Sequence, residues 1–147
     1  MSRLKARMLV AGAASGELLV LAEPLSLWGG LDPTSGEIID RRHPQSGCHV
    51  RGRVLALPVG RGSSSASSVL LEAVRLGTVP AAIVLAEVDP ILVLGATVAR
   101  ELYDWTVPVA LLGAEDYVRL ATGMRLEIAE AGRLTLTEGS AVAGHSG

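Results

Sequence analysis

The chain has 147 residues, the length of one domain and enough to bury a core without disulfide or metal staples. Its formal net charge is −2, its basic residues are scattered and only 3% of its residues are aromatic, which excludes the basic face and stacking platform of a nucleic-acid binder. Hydrophobic residues make up 49% of the chain with no Phe among them, so Val, Leu, Ile and Ala fill the interior, and so apolar a chain is expected to be covered in part by another polypeptide.

The start, Met1 to Arg7, is basic, but only a short apolar stretch follows before Gly12 and Glu17; the expectation is no signal peptide and a cytoplasmic location. Arg7 to Ala11 and Glu17 to Leu21 read as strands joined at Gly12 and Ser15-Gly16, forming a hairpin or a bent strand pair. Pro24 to Gly36 holds two prolines and three glycines and reads as a long irregular loop, a kind of segment that often carries function. Glu37 to Asp40 is a short strand, Arg41 to Gly47 a polar turn, and Val50 to Leu57 a strand. Cys48, the single cysteine, gives no disulfide framework and no CxxC pair; it is either a small buried hydrophobe or one metal ligand.

From Ser65 to Leu76 the apolar residues Val69, Leu70, Ala73, Val74 and Leu76 recur at helical spacing, with Gly77 as the stop. Ala81 to Ala86 is a buried strand, and the segment opened by Asp89-Pro90 becomes helical from Gly95 to Tyr103. Glu87, Asp89, Pro90 and Gly95 interrupt this longest apolar region, which excludes a transmembrane helix there. Val107 to Leu112 is another strand, Ala114 to Ala121 a short helix, and Arg125 to Ala129 with Arg133 to Thr137 a hairpin around Gly132. Buried strands alternating with helices give an α/β domain over residues 1–138, with antiparallel pairing added at its ends. Residues 139–147 read as a disordered tail.

The most informative stretch is the glycine-serine run Gly60 to Ser68, set between a strand and a helix. Glycines let the backbone turn sharply and approach a ligand, and a helix N-terminus presents N–H groups and the positive end of its dipole to an anion or a deprotonated serine. A flexible linker has the same composition. A phosphate-binding P-loop needs a Lys before its final Ser or Thr, and the one lysine of this chain is Lys5.

The loop Pro24-Leu25-Ser26-Leu27-Trp28-Gly29-Gly30-Leu31-Asp32-Pro33, the turn Asp40 to Gly47 with His43-Pro44, the stretch Leu57 to Ser65 and the segment Val79 to Leu85 follow one another in a recognisable order. Together they resemble the small subunit of aconitase X, equivalent to the swivelling domain of aconitase-type dehydratases. The resemblance spans Ala11 to Leu112 and implies a swivelling β/β/α domain. Aconitase-type enzymes carry Gly-x-Gly-Ser-Ser-Arg here, the first Ser removing a carbon-bound proton and the Arg binding a substrate carboxylate. By position the base is Ser63 and its neighbour Ser64, while Ser65 stands where ordinary aconitases have Arg. That departure argues against citrate and agrees with the aconitase X branch.

The resemblance further implies an iron centre, an iron-sulfur cluster or a single iron, acting on the departing hydroxyl. One cysteine cannot hold it, so the iron belongs on a larger partner subunit and this chain alone binds no cofactor. Gly62, Ser64 and Ser65 are candidates for gripping a substrate carboxylate. Arg61 binds an anion or is a plain surface arginine, His43 lines the partner interface or is a solvated turn histidine, and Gly29, Gly30 and Asp32 border the site or serve the turn. Two substrates fit the family's hydroxyl elimination, cis-3-hydroxy-L-proline and phosphomevalonate. A chain with one lysine among 13 basic residues lacks the Lys/Glu enrichment of hyperthermophile proteins, which favours hydroxyproline breakdown in a bacterium. A non-catalytic anion-binding module is the rival from another class.

Overall fold

Alternation along the strands builds the architecture. The computed structural model describes residues 1–58 and 65–138; residues 59–64 and the tail 139–147 lie outside the described residues. In chain order the elements are β1 (Ser2–Lys5), β2 (Arg7–Val10), β3 (Ala14–Val20), a turn α1 (Leu27–Gly30), β4 (Leu31–Asp32), β5 (Glu37–Ile38), β6 (Val54–Leu57) and α2 (Ser65–Leu76). They continue with β7 (Ala82–Leu85), α3 (Pro90–Tyr103), β8 (Val109–Leu111), α4 (Ala114–Tyr117), β9 (Arg125–Ile128) and β10 (Arg133–Thr137).

The strands join in an 8-stranded sheet of order β1-β10-β9-β3-β6-β7-β8-β2, with β4 and β5 forming a separate 2-stranded ribbon. β3, β6, β7 and β8 run parallel, and the other pairings are antiparallel. The two edge strands, β1 and β2, are consecutive in the chain with only Ala6 between them. Both edges are therefore halves of one bent strand, and the sheet curls into a nearly closed barrel, which removes its free edges. The Ala6 N–H donates to the Gly132 carbonyl at 2.8 Å, pinning the bend against the β9–β10 turn.

Successive residues of a strand point to opposite faces. Leu18, Val54, Ala56, Ala82, Val84 and Ala110 face the barrel interior with Leu126 and Leu134. Their neighbours Leu19, Leu55, Leu57, Ile83, Leu85 and Val109 face outward into a second core with α2 and α3. Alanine is frequent inside, where facing strands crowd, and large side chains sit outside, where helices must be met. The result has the β/β/α layering expected of the swivelling domain.

The structure corrects several readings. The strands β2 and β3 do not form a hairpin: β2 pairs with β8 and β3 with β9 and β6. Between them Gly12 crosses against Thr106 and Pro108, where a Cβ would come within 2.9 Å of both side chains. Strand β6 starts at Val54, not Val50, because the Val50 N–H is spent on the Gly36 carbonyl and Gly52 turns the chain at φ 70°. Helix α3 starts at Pro90, not Gly95, since the Asp89 carboxylate accepts from the Ile91 and Leu92 N–H groups and proline suits the first turn. Inside the loop read as wholly irregular, β4 pairs with β5 across the Asp32 to Gly36 turn. Helix α4 stops at Tyr117 rather than Ala121.

Candidate functional site

Parallel strands aim their C-terminal ends at one edge of a sheet, and ligands of α/β domains bind there, where helix N-termini converge. At that edge β3 leads into Ala22 to Pro24, β6 into Pro58 and the glycine-serine run, and β7 into Glu87 to Asp89. The helices α2 and α3 both begin there. α3 is already capped by Asp89, buried at 7% exposure, so a carboxylate of the chain itself occupies the positive end of its dipole. α2 has no acidic residue in its first turn and opens with the half-buried Ser65. Its start is fixed by a close crossing of α3, where a Cβ on Gly95 would lie 3.2 Å from the Ser67 Cα. Arg61, Gly62, Ser63 and Ser64 fall outside the described residues.

His43 belongs to the same edge, and it is not the solvated histidine of a polar turn. It is 6% exposed, its Nδ1 accepts from the Gln45 backbone N–H at 3.0 Å, and its Nε2 donates to the Glu23 carbonyl at 2.9 Å. Those two bonds fix the neutral Nε2–H tautomer and fasten the turn to the segment leaving β3. The Gln45 side chain adds a second tie, its Oε1 accepting from the Ala22 N–H at 3.1 Å. Gly30 lies beside this turn, its carbonyl accepting from the Ile39 N–H at 2.8 Å, and Gly29 next to it is exposed at φ 79°.

The β4–β5 ribbon holds Asp32 at the start of its turn. Its turn packs under the end of α2, where the Thr78 hydroxyl donates to the Pro33 carbonyl at 2.6 Å. The Asp32 carboxylate accepts from the Thr34 hydroxyl at 2.7 Å and from the Thr34 N–H at 2.9 Å. These bonds hold its pKa below the ordinary carboxylate value, the Thr34 hydroxyl contributing most. Asp32 thus serves the turn and does not join the edge that holds His43 and Ser65.

Three groups that sequence reasoning passed over do meet there. Glu23, Asp40 and Arg42 line a cavity of about 400 Å³ with Pro24 and His43. Asp40 also accepts from the Arg42 backbone N–H at 3.0 Å through its Oδ1. Their signal in the sequence was charge placed just after a strand end, diluted there by Arg41 and the turn residues. Among the described residues no group of three or more His, Cys, Asp or Glu side chains could hold a metal ion, and Cys48 packs half-buried against the outer core. No described helix is long and apolar enough to cross a membrane.

Comparison with known proteins identifies the family and the fold. The family model described as the aconitase X swivel domain matches residues 3–136. Over 129 residues the chain is 56% identical to a cis-3-hydroxy-L-proline dehydratase of Pseudomonas aeruginosa, covering 83% of this chain and 22% of that protein. It is 36% identical over 126 residues to a phosphomevalonate dehydratase small subunit of Pyrococcus furiosus, covering 86% of this chain and 88% of that one. The chain therefore spans about a fifth of the Pseudomonas relative and most of the Pyrococcus one. The crystal structure of Thermococcus kodakaraensis aconitase X in its holo-form superimposes with a TM-score of 0.84 at 30% identity, over 94% of this chain and 100% of that one.

Proposed function

The chain belongs to the aconitase X swivel-domain family, and from that premise we propose that it is the small, swivelling part of a heteromeric dehydratase acting on cis-3-hydroxy-L-proline. The observation that carries the choice of substrate is the identity of 56% over 129 residues to a dehydratase of that name, against 42% over 93 residues and 40% over 121 residues to phosphomevalonate dehydratase small subunits. The exposed Trp28, Leu102 and Trp105 supply apolar surface for a larger partner, the polypeptide to which the iron centre is assigned. The described residues do not fit an iron centre.

Ser63 is the base in this reading. It precedes the first residue of α2 by two positions in the sequence, and the positive end of a helix dipole favours a deprotonated hydroxyl. It takes the C2 proton as the C2=C3 double bond forms and the C3–O bond breaks; the departing hydroxide takes a proton from solvent to become water, and Ser63 then returns the C2 proton to solvent. The resulting enamine tautomerises to pyrroline-2-carboxylate. Negative charge builds next to the substrate carboxylate, which Gly62, Ser64 and Ser65 hold through backbone N–H groups and hydroxyls, with Arg61 as an additional cation. Gly29, Gly30 and His43 shape the neighbouring wall.

The test is reconstitution with the larger partner and steady-state kinetics on cis-3-hydroxy-L-proline, phosphomevalonate and citrate. The expected result is turnover of the first alone. In that complex Ser63→Ala lowers kcat by at least about a hundredfold, within the usual contribution of a positioned base, while assembly and iron content stay intact. A clear preference for phosphomevalonate would overturn the substrate, and near-normal turnover of the Ser63→Ala complex would overturn the base.

A further inference from the structure

We infer that the cavity lined by Glu23, Pro24, Asp40, Arg42 and His43 is the subsite that receives the substrate's ammonium group, and that it selects an α-amino acid over a phosphorylated hydroxy acid. The inference rests on the proposed dehydratase reading and adds to it the residues that choose the substrate.

Position comes first. The Leu21 N–H donates to the Ala56 carbonyl at 2.9 Å, so the chain leaving β3 runs beside the end of β6. Glu23 follows two residues later, and β6 leads through Leu57 and Pro58 into the glycine-serine run. The cavity therefore stands beside the end of β6, the strand that Ser63 follows in the sequence. At about 400 Å³ it falls within the range of small-ligand pockets.

Charge comes second. Among the described residues the lining holds two carboxylates, Glu23 and Asp40, against one guanidinium, Arg42. His43 adds no charge in the tautomer its two hydrogen bonds fix. Such a lining attracts a cation or a zwitterion. A phosphorylated acid would bring two anionic groups up to the Glu23 and Asp40 carboxylates, and like charges at close range are costly. An imino acid matches all three groups, because its ammonium meets the carboxylates and its own carboxylate meets a guanidinium or backbone donors. The wall is also rigid before any ligand arrives, since Pro24 and the ties from Ala22 to Gln45 and from Glu23 to His43 hold the two segments together.

The experiment uses the reconstituted complex with Glu23→Gln and Asp40→Asn, neutral isosteres that keep an acceptor for the turn. Each is expected to raise KM for cis-3-hydroxy-L-proline about tenfold, the loss of one charge-assisted hydrogen bond, with a smaller change in kcat. Two competitive inhibitors that differ only in the ring heteroatom, L-proline and tetrahydrofuran-2-carboxylate, isolate the ammonium. The wild-type complex should favour L-proline, and in the variants the ratio of the two inhibition constants should collapse towards one, a change that a merely structural role would not produce. Turnover of cis-3-hydroxy-L-proline with that ratio unchanged in both variants overturns this inference and leaves the proposed function standing. Turnover of phosphomevalonate alone overturns both.

Discussion

The bend that closes the barrel is pinned by a backbone contact, and Gly132 makes it testable. Gly132 sits in the β9–β10 turn at φ 101° and accepts the Ala6 N–H at 2.8 Å, just where β1 bends into β2. A Cβ at this position would run into the Ala6 carbonyl oxygen, a backbone atom that cannot swing aside as a side-chain tip can. In Gly132→Ala the positive φ alone costs about 1 kcal/mol. Pushing Ala6 away loses a buried backbone hydrogen bond, about 1–3 kcal/mol when the groups find no new partner. The sum is about 3 kcal/mol, a fall in Tm of about 10 °C for a domain of this size. Gly123 provides the control. Its φ is 96° and a Cβ added there would meet no described atom within 4 Å, so Gly123→Ala should lose only the backbone part, about 1 kcal/mol. Urea unfolding of both variants, followed by far-UV circular dichroism, measures the difference. Equal losses in the two would refute the claim that the Ala6–Gly132 contact holds the barrel shut.

Asp89→Ala removes the cap of α3 and leaves the Ile91 and Leu92 N–H groups without their acceptor, so thermal unfolding should show a loss of about 1 kcal/mol. Tyr117→Phe should instead stabilise the fold by about 1 kcal/mol at pH 7, because the buried Tyr117 hydroxyl has no hydrogen-bond partner among the described residues. Burial also pushes the Tyr117 pKa up to about 12 from 10.0. The neutral phenol is thus favoured in the folded state, and its contribution is intact below pH 10 and lost as pH rises towards 12. Unfolding curves at about pH 9 and about pH 11 should separate wild type from Tyr117→Phe more widely at the higher pH, and a constant separation would contradict the burial.

How much of this was legible in the sequence follows from which signals are local. The helix pattern of Ser65 to Leu76 and the hairpin around Gly132 carry their own periodicity and stop signals, and the structure places α2, β9 and β10 there. Strand partners are not local. Nothing in Arg7 to Val10 says that it will lie along β8, about a hundred residues further on, rather than against the next strand. Start points failed for a related reason: at Asp89-Pro90 the cap was visible, but the apolar run after it hid the helical period until Gly95. The site divides along the same line. His43 stands in a motif, yet the cavity it lines is completed by Glu23 and Asp40, which reach it from two segments joined only by folding. Asp32 stands next to Gly29 and Gly30 in the same motif, yet its carboxylate is spent on Thr34 within the β4–β5 turn, and that turn packs against Thr78. A motif fixes which residues travel together in sequence, and the fold decides which of them turn their polar groups to one another.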